Sequence, residues 1–386
     1  MKKKYLVVGA GFSGSVLANE LAENINCSID VWDERLHIGG NCYTERDSNT
    51  GIMEHKYGPH IFNTDKKEIW DYINRFTEMQ PFVNRVKADF NGNIYSLPVN
   101  LHTINQFFDK SFSPEEAKEF ILSQANSTIG DPQNFEEQAL KYIGEDLYRA
   151  FFYGYTKKQW GCEPSTLPAS ILKRLPVRFN YNDNYYNNVY QGIPKNGYTE
   201  IFEKLLNKPN ITVSLNKKFN PETPVTEYDH IFYTGPIDAY FNYIHGRLSY
   251  RTVEFQKYQA EGDYQGNAVI NYCDEHVKYT RIHEHKHFTP WEQHDKTIYF
   301  KEFSKETVLN DIPYYPKRLS ADMELLNIYV ETAKKMHNVS FLGRLATYRY
   351  MDMHHVIAEA LKFSNSVKIA LLSNTAIPVF PELNNL

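Results

Sequence analysis

The sequence predicts a mixed α/β protein, in which a parallel-sheet domain is interrupted by a helical insert and by an antiparallel-sheet insert. Three observations predict it. The chain opens with an apolar strand, a glycine-rich turn, an amphipathic helix and a second strand, the β-α-β unit that starts a parallel sheet. Helix start signals then crowd into residues 101–182. Strand-like runs dominate from about Tyr250 to Phe303.

Taken in order, KYLVV at 4–8 reads as a buried strand, Gly11–Glu23 as a helix, and Ser28–Trp32 as the next strand. Lys2-Lys3-Lys4 before an apolar stretch also has the look of a secretory signal. However, Gly9, Gly11 and Gly14 interrupt that stretch and NELAEN continues its helical period, so a cytoplasmic protein is expected. Asp65–Phe76 is a helix whose stripe is Ile69, Tyr72, Ile73 and Phe76. Asn91-Gly92 between VKADF and IYSLP is a hairpin signal. Ser113-Pro114-Glu115-Glu116 supplies a cap, a first-turn proline and acidic residues for one helix. Asn134 with Glu137 starts another, and Pro168–Leu175 reads as a third, short one. NAVINYC, VKYTRIHEH and TIYFKEF are strands, preceded by a return strand into the first sheet at Tyr228–Tyr233. Met323–Met336 and the segment running to about residue 362 are helical.

The parallel-sheet domain is therefore expected over 1–78, 200–238 and 319–366. The helical domain is expected over 101–182, and the antiparallel sheet over 79–100, 183–199 and 239–318. Residues 367–386 read as a peripheral tail.

Composition narrows the function. A net charge of −5 over 386 residues provides no general attraction to nucleic acid or anionic membranes, so neither partner is expected, and no apolar run is long enough to span a bilayer. Cys27, Cys42, Cys162 and Cys273 are widely separated, with no CxxC metal or redox spacing. The 29 tyrosines exceed what a core needs, because each buried hydroxyl requires a partner. An aromatic-lined cleft follows.

Gly9-Ala10-Gly11-Phe12-Ser13-Gly14 is a GxGxxG between a strand and a helix, and Asp33 stands at the end of the second strand. This spacing lets a pyrophosphate approach the backbone at a helix N-terminus while the carboxylate holds ribose hydroxyls. A second glycine pair, Gly39-Gly40 in HIGGNCYT, points to FAD rather than NAD.

With HIGGNCYT, YGPHIFNT, GEDLYRAFFYGYTKKQWG, RLPVRFNYNDNYY, YQGIPKNGYT, YTGPID, YQGNAVINY, YTRIHEHKHF, PYYP and GRLATYRYMDMH in that order, the chain resembles the bacterial UDP-galactopyranose mutase family to about residue 362. The resemblance implies a Rossmann-like FAD-binding domain with an inserted helical bundle and an antiparallel β-sheet domain, usually as a homodimer. It implies interconversion of UDP-galactopyranose and UDP-galactofuranose through a covalent adduct of the anomeric carbon with N5 of reduced FAD, supplying galactofuranose for cell-surface polysaccharide. A reductant such as NAD(P)H or a reductase is then required.

The same resemblance implies the site residues. Arg174 and Arg281 clamp the diphosphate, since a planar guanidinium grips phosphate oxygens by two bonds. Arg174 lies in a mobile lid near 165–178, bounded by Pro168 and Pro176. Phe152, Tyr155 and Trp160 form the uridine pocket with Asn271 as a further contact, Asn84 also binds substrate, and Tyr185, Tyr315 and Tyr350 offer hydroxyls to phosphate. His60 sits close to flavin and sugar. The cofactor is held by Gly9, Gly11, Phe12, Ser13, Gly14, Asp33, Gly40, Asn41, Arg251, Gly343, Arg344, Tyr350, Asp352 and Met353, with His60. Asn63 departs from the family's commoner histidine, and an asparagine cannot titrate. Alternatives are an FAD oxidoreductase of the same fold, a mutase acting on UDP-N-acetylgalactosamine, and a non-catalytic nucleotide-sugar binder.

Overall fold

The computed structural model describes residues 2–169, 171, 177–222 and 225–382. In chain order the first elements are β1 (Lys3–Val8), α1 (Phe12–Asn24), β2 (Cys27–Trp32), β3 (Thr44–Arg46), β4 (Met53–His55), β5 (Phe62–Thr64), α2 (Lys67–Asn74) and β6 (Met79–Pro81). The hairpin β7 (Lys87–Phe90) and β8 (Asn93–Ser96) follows, then α3 (Leu101–Phe108), α4 (Pro114–Gln124), α5 (Phe135–Leu147) and α6 (Gly154–Trp160). Next come β9 (Tyr190–Pro194), α7 (Thr199–Leu206), β10 (Ile211–Ser214), β11 (His230–Tyr233), α8 (Ile237–Tyr240) and β12 (Tyr250–Glu261). The chain continues through β13 (Val269–Tyr272), β14 (Arg281–Glu284), β15 (Lys296–Glu306), β16 (Tyr315–Pro316), α9 (Ser320–Ala333), β17 (Val339–Phe341), α10 (Gly343–Ala346) and α11 (Met353–Leu372).

Among the described residues, β10-β2-β1-β11-β17 form a five-stranded sheet, parallel throughout. Its central strands are apolar on both faces, as a sheet covered on both sides requires. One face packs through Val7, Leu17, Phe232 and Phe363, the other through Leu6, Tyr233, Tyr329 and Phe341. A seven-stranded sheet runs β16-β12-β15-β14-β13-β7-β8, antiparallel except where β13 meets β7. The β7–β8 hairpin turns at Asn91-Gly92 with φ 52° and 73°, the left-handed pair that suits a two-residue hairpin.

The helical insert starts as its capping residues dictate. Ser113 and Glu116 close a reciprocal capping box on α4, and the Asn134 side chain accepts from the Glu137 N–H at the head of α5. A π turn over Tyr148–Tyr153 joins α5 to α6. It delivers Phe151 to a cluster with Phe90, Tyr95 and Phe107.

Three expectations need correction, and a fourth lies mostly outside the described residues. The helix expected from Asp65 starts at Lys67, because the Asp65 carboxylate instead accepts from the Val189 N–H and the Asn188 amide. Residues 183–199, expected in the antiparallel-sheet domain, contribute β9 instead to a separate three-stranded sheet with β5 and β6. Of the expected tail 367–386, the described part, 367–382, packs on the parallel-sheet domain. Helix α11 runs on to Leu372 with Val367 and Ala370 buried, and the chain then returns along the edge strand β17: the Phe341 N–H donates to Val379 O, and Phe380 stacks on Phe341. An exposed parallel edge with unpaired amides is a liability, and this segment covers it. Finally, the helix expected at Pro168–Leu175, with the lid near 165–178, lies mostly outside the described residues. Its flanks are anchored: Pro168 bridges Asn134, and Arg178 donates to Asn184 O and Asn187 Oδ1.

Candidate active site

The glycine turn between β1 and α1 is built for a close-lying group. A Cβ at Gly14 would lie 1.9 Å from the Gly9 carbonyl oxygen, so that position packs helix against turn. A Cβ at Gly11 would meet only Gly40 Cα at 3.9 Å. Gly11 therefore leaves space on the side where a pyrophosphate lies in this motif. The second glycine pair faces the first, and the Gly39 N–H donates to Ala10 O at 2.8 Å. Asp33 is buried, and its two oxygens accept from the Ala10 and Arg35 amides. Each oxygen keeps a second lone pair. Gly343 packs directly on Ser13, which brings α10 to the head of α1.

Arg35 was not among the sequence candidates. It stacks on Tyr57 at 4.5 Å and donates through Nη2 to Asn41 Oδ1, while its buried Nη1 has no hydrogen-bond partner among the described residues. A cation two residues beyond Asp33 is the signal that could have found it. These features fit a dinucleotide.

His60 lies near Arg344, the residue after Gly343. Its Nδ1 lies 2.8 Å from Gly58 O, so Nδ1 carries the proton, since a carbonyl can only accept. Burial, with Arg344 nearby, pushes its pKa down to about 4 against the pull of that hydrogen bond. At neutral pH the imidazole is uncharged, and Nε2 is an acceptor. The loop is fixed by two further histidines: the His60 N–H donates to His55 Nδ1, and the His55 N–H to His285 Nδ1.

The other wall is one row of the large sheet. Phe255, Glu302, Arg281, Asn271 and Ala88 are paired across β12, β15, β14, β13 and β7, so their side chains share a face. Glu302 is buried, and its Oε1 accepts from Arg281 Nε at 2.8 Å and from the Thr280 hydroxyl. Burial works against the arginine's charge, but Glu302, with Tyr155 and Tyr315, holds its pKa well above the ordinary value. Burial also raises Tyr155, Tyr185 and Tyr315, the last to about 12, and Arg281 opposes each shift. These hydroxyls stay protonated and can donate. Asn84 is buried, and its carbonyl accepts the Tyr185 N–H at 2.8 Å. Asn84 Oδ1 and Asn271 Oδ1 are buried with no hydrogen-bond partner among the described residues.

A ring stack joins the two walls. Arg344 lies over Tyr350 at 5.1 Å, and Tyr350 stacks on Tyr315 with centroids 6.0 Å apart. Phe152 is buried in the helical core, with Tyr155 and Trp160 half-buried against it. Asp352 caps the N-terminus of α11, and Met353 packs on the core that includes Phe12.

One expected residue lies outside the described residues and one is committed elsewhere. Arg174 lies outside the described residues. Arg251, expected at the cofactor, commits its guanidinium elsewhere: it donates to Gln159 O, Lys158 O, Ser304 Oγ and Glu306 Oε1, and is 3% exposed. Those acceptors lie on α6 and β15, and sequence spacing held no trace of them.

Comparison with known proteins agrees with this arrangement. Residues 150–350 match the UDP-galactopyranose mutase family model, and residues 7–76 match an NAD(P)-binding Rossmann-like domain. The chain is 53% identical to a Klebsiella pneumoniae protein described as a probable UDP-galactopyranose mutase, over 98% of both chains. It is also 53% identical to the dTDP-fucopyranose mutase of Escherichia coli, over 93% of this chain and 97% of that one. A solved structure of reduced UDP-galactopyranose mutase shares the fold, with a TM-score of 0.73 and 14% identity over 96% of each chain. No helix among the described residues is long and apolar enough to cross a membrane. Matched by that family model over residues 150–350 and 53% identical to a described relative along nearly its full length, the chain belongs to the UDP-galactopyranose mutase family.

Proposed function

We propose that this protein interconverts UDP-galactopyranose and UDP-galactofuranose in a reaction that uses reduced FAD and consumes no electrons. Bound at the glycine turn and reduced, FAD supplies the nucleophile for the anomeric carbon. The residues that would hold it are Gly9, Gly11, Phe12, Ser13, Gly14, Asp33, Gly40 and Asn41 on one side. Gly343, Arg344, Tyr350, Asp352 and Met353 complete the set, with Arg35 added from the structure.

The observation that carries the reading is Arg281. It is held by Glu302 through Nε alone, so among the described residues its two terminal nitrogens donate no hydrogen bond, and three protonated tyrosines stand around it. This is the chemistry a diphosphate needs as its bond to the sugar breaks and charge collects on it. Arg174 is the proposed second half of the clamp. Phe152, Tyr155 and Trp160 offer aromatic surface to the base, with Asn84 and Asn271 as polar contacts. Neutral His60 accepts a sugar hydroxyl at Nε2. The proposal includes a homodimeric cytoplasmic enzyme, served by NAD(P)H or a reductase and supplying galactofuranose to surface polysaccharide, on the strength of family membership.

The E. coli relative supports a second reading, in which the substrate is a dTDP-linked 6-deoxy sugar. Purified flavin-loaded protein, incubated with UDP-galactofuranose with and without dithionite and resolved by chromatography, tests the first reading. Conversion to the pyranose only under reduction is expected. Conversion of dTDP-fucofuranose with a higher kcat/KM would transfer the assignment to the second reading. Net oxidation of substrate would favour an oxidoreductase.

A further inference from the structure

The two walls of the cleft come from different parts of the fold: α6 carries Tyr155 and Trp160, while the β13–β14 hairpin carries Asn271 and Arg281. Four features lie on the seam between them. Arg251, on β12, reaches the C-terminal end of α6 and donates to Gln159 O at 3.0 Å and Lys158 O at 3.3 Å. Those carbonyls lie in the last turn of the helix, where they lack intrahelical donors and carry the negative end of its dipole. Lys158, from the same turn, points the opposite way and donates to Tyr272 O at 2.7 Å, Asp274 O at 2.8 Å and Tyr279 O at 3.2 Å. These three carbonyls ring the turn that directly follows Asn271 and precedes Arg281.

The two glycines of the seam allow this approach. A Cβ at Gly161 would lie 2.4 Å from Arg251 Nη1, and one at Gly154 would lie 2.2 Å from Cys273 O. Helix and hairpin therefore touch backbone to backbone.

We propose that Lys158 and Arg251 are positioning residues that fasten the aromatic wall of α6 to the hairpin bearing Asn271 and Arg281, so that the two walls of the nucleotide cleft hold one spacing. The inference rests on reading that cleft as a nucleotide-sugar site. Neither cation serves as a phosphate ligand. An ammonium has three protons, and three carbonyls take all of Lys158's. Burial pushes the Lys158 pKa down to about 8 against the pull of Asp274 and Glu275, a cost that an unconstrained surface lysine does not bear. Arg251 is tied to the sheet as well, since its guanidinium donates to Ser304 Oγ and Glu306 Oε1 of β15 and its position pairs in register with Tyr315 of β16. The same cation thus sets α6 against the tyrosine expected at the phosphates.

The test uses flavin-loaded protein carrying Lys158→Met, Lys158→Arg or Arg251→Lys. UDP binding to the oxidised enzyme is measured by calorimetry, and hydrogen exchange is followed in the 273–280 segment. Lys158→Met is expected to weaken UDP binding by about 10- to 100-fold, the range for a misplaced binding wall. It should raise KM more than it lowers kcat and speed exchange in 273–280. Lys158→Arg, which keeps several donors, is expected to recover most of the affinity, and Arg251→Lys to fall between. Unchanged UDP affinity and exchange in folded Lys158→Met would overturn the clamp. If the wild-type protein fails to bind UDP, the nucleotide reading falls, and the exchange comparison alone still decides whether the seam is fastened by Lys158.

Discussion

Glu302 Oε1 lies 2.8 Å from Arg281 Nε, one strand away on the same row of the large sheet. The carboxylate is almost wholly buried and the guanidinium only partly so. Such an asymmetric pair aims the arginine. Its inner edge is neutralised while its outer edge faces the cleft. Arg281→Ala is expected to lower kcat/KM by about 10²- to 10³-fold with flavin retained, and to destabilise the fold by about 3–5 kcal/mol because Glu302 is left buried without its cation. Steady-state kinetics and denaturant titration check both numbers. The double variant Arg281→Met/Glu302→Leu should recover stability but not turnover.

Gly11 and Gly14 separate cofactor binding from folding. Gly14→Ala puts a methyl into the Gly9 carbonyl and should abolish soluble expression. Gly11→Ala meets nothing closer than 3.9 Å, so the apoprotein should fold with an unchanged Tm. In that variant the added methyl lies where the pyrophosphate approaches, and the purified protein should be colourless. A yellow, flavin-replete Gly11→Ala protein would contradict the placement of the dinucleotide.

His60 should titrate near 4 and remain neutral, with its proton on Nδ1, from about pH 5 upward. Long-range ¹⁵N–¹H spectra of histidine-labelled protein, compared with a His60→Asn variant, would assign the signal. A midpoint above 6 would rule out the neutral acceptor role.

Acid stability has a definite sign. Burial holds His230 at about 4 and His285 at about 3, against an unfolded value near 6.5. The unfolded chain then binds more protons, so stability is complete above about pH 6.5. It falls as the pH drops towards the folded values, by about 1–2 kcal/mol per histidine between pH 7 and 5. Thermal melts across that interval should show the loss, and His230→Gln, which can still pair with Ser340 Oγ, should flatten the curve.

The segment Pro378–Phe380 contributes to the parallel-sheet domain. Phe380→Ala removes a ring stacked on Phe341 with centroids 5.5 Å apart and should cost about 1–2 kcal/mol, less than a fully buried phenylalanine because the ring is half-buried. Ending the chain before Pro378 should cost more and promote association through the uncovered β17 edge. Melting temperatures and light scattering distinguish the two effects.

The opening β-α-β unit, the Asn91-Gly92 turn and the capped starts of α4 and α5 were legible because each depends on neighbours within a few residues: a glycine at a positive φ, a serine accepting from the amide three positions on. The site residues Tyr155, Arg281 and Asn271 could be named only through resemblance, since no spacing rule connects positions so far apart. Asp65 misled because its carboxylate caps the Asn188–Val189 turn, a partner more than a hundred positions away in the chain. Arg251 misled because its acceptors are carbonyls on α6 and side chains on β15, none of them near it in the sequence.

The sequence by itself therefore determined the glycine turn, the local elements and the family. The tertiary structure alone decided the protonation of His60, the aim of Arg281, the covering of β17 and the seam at Lys158. Burial and long-range hydrogen bonding set those four properties, and both depend on which segments meet in space.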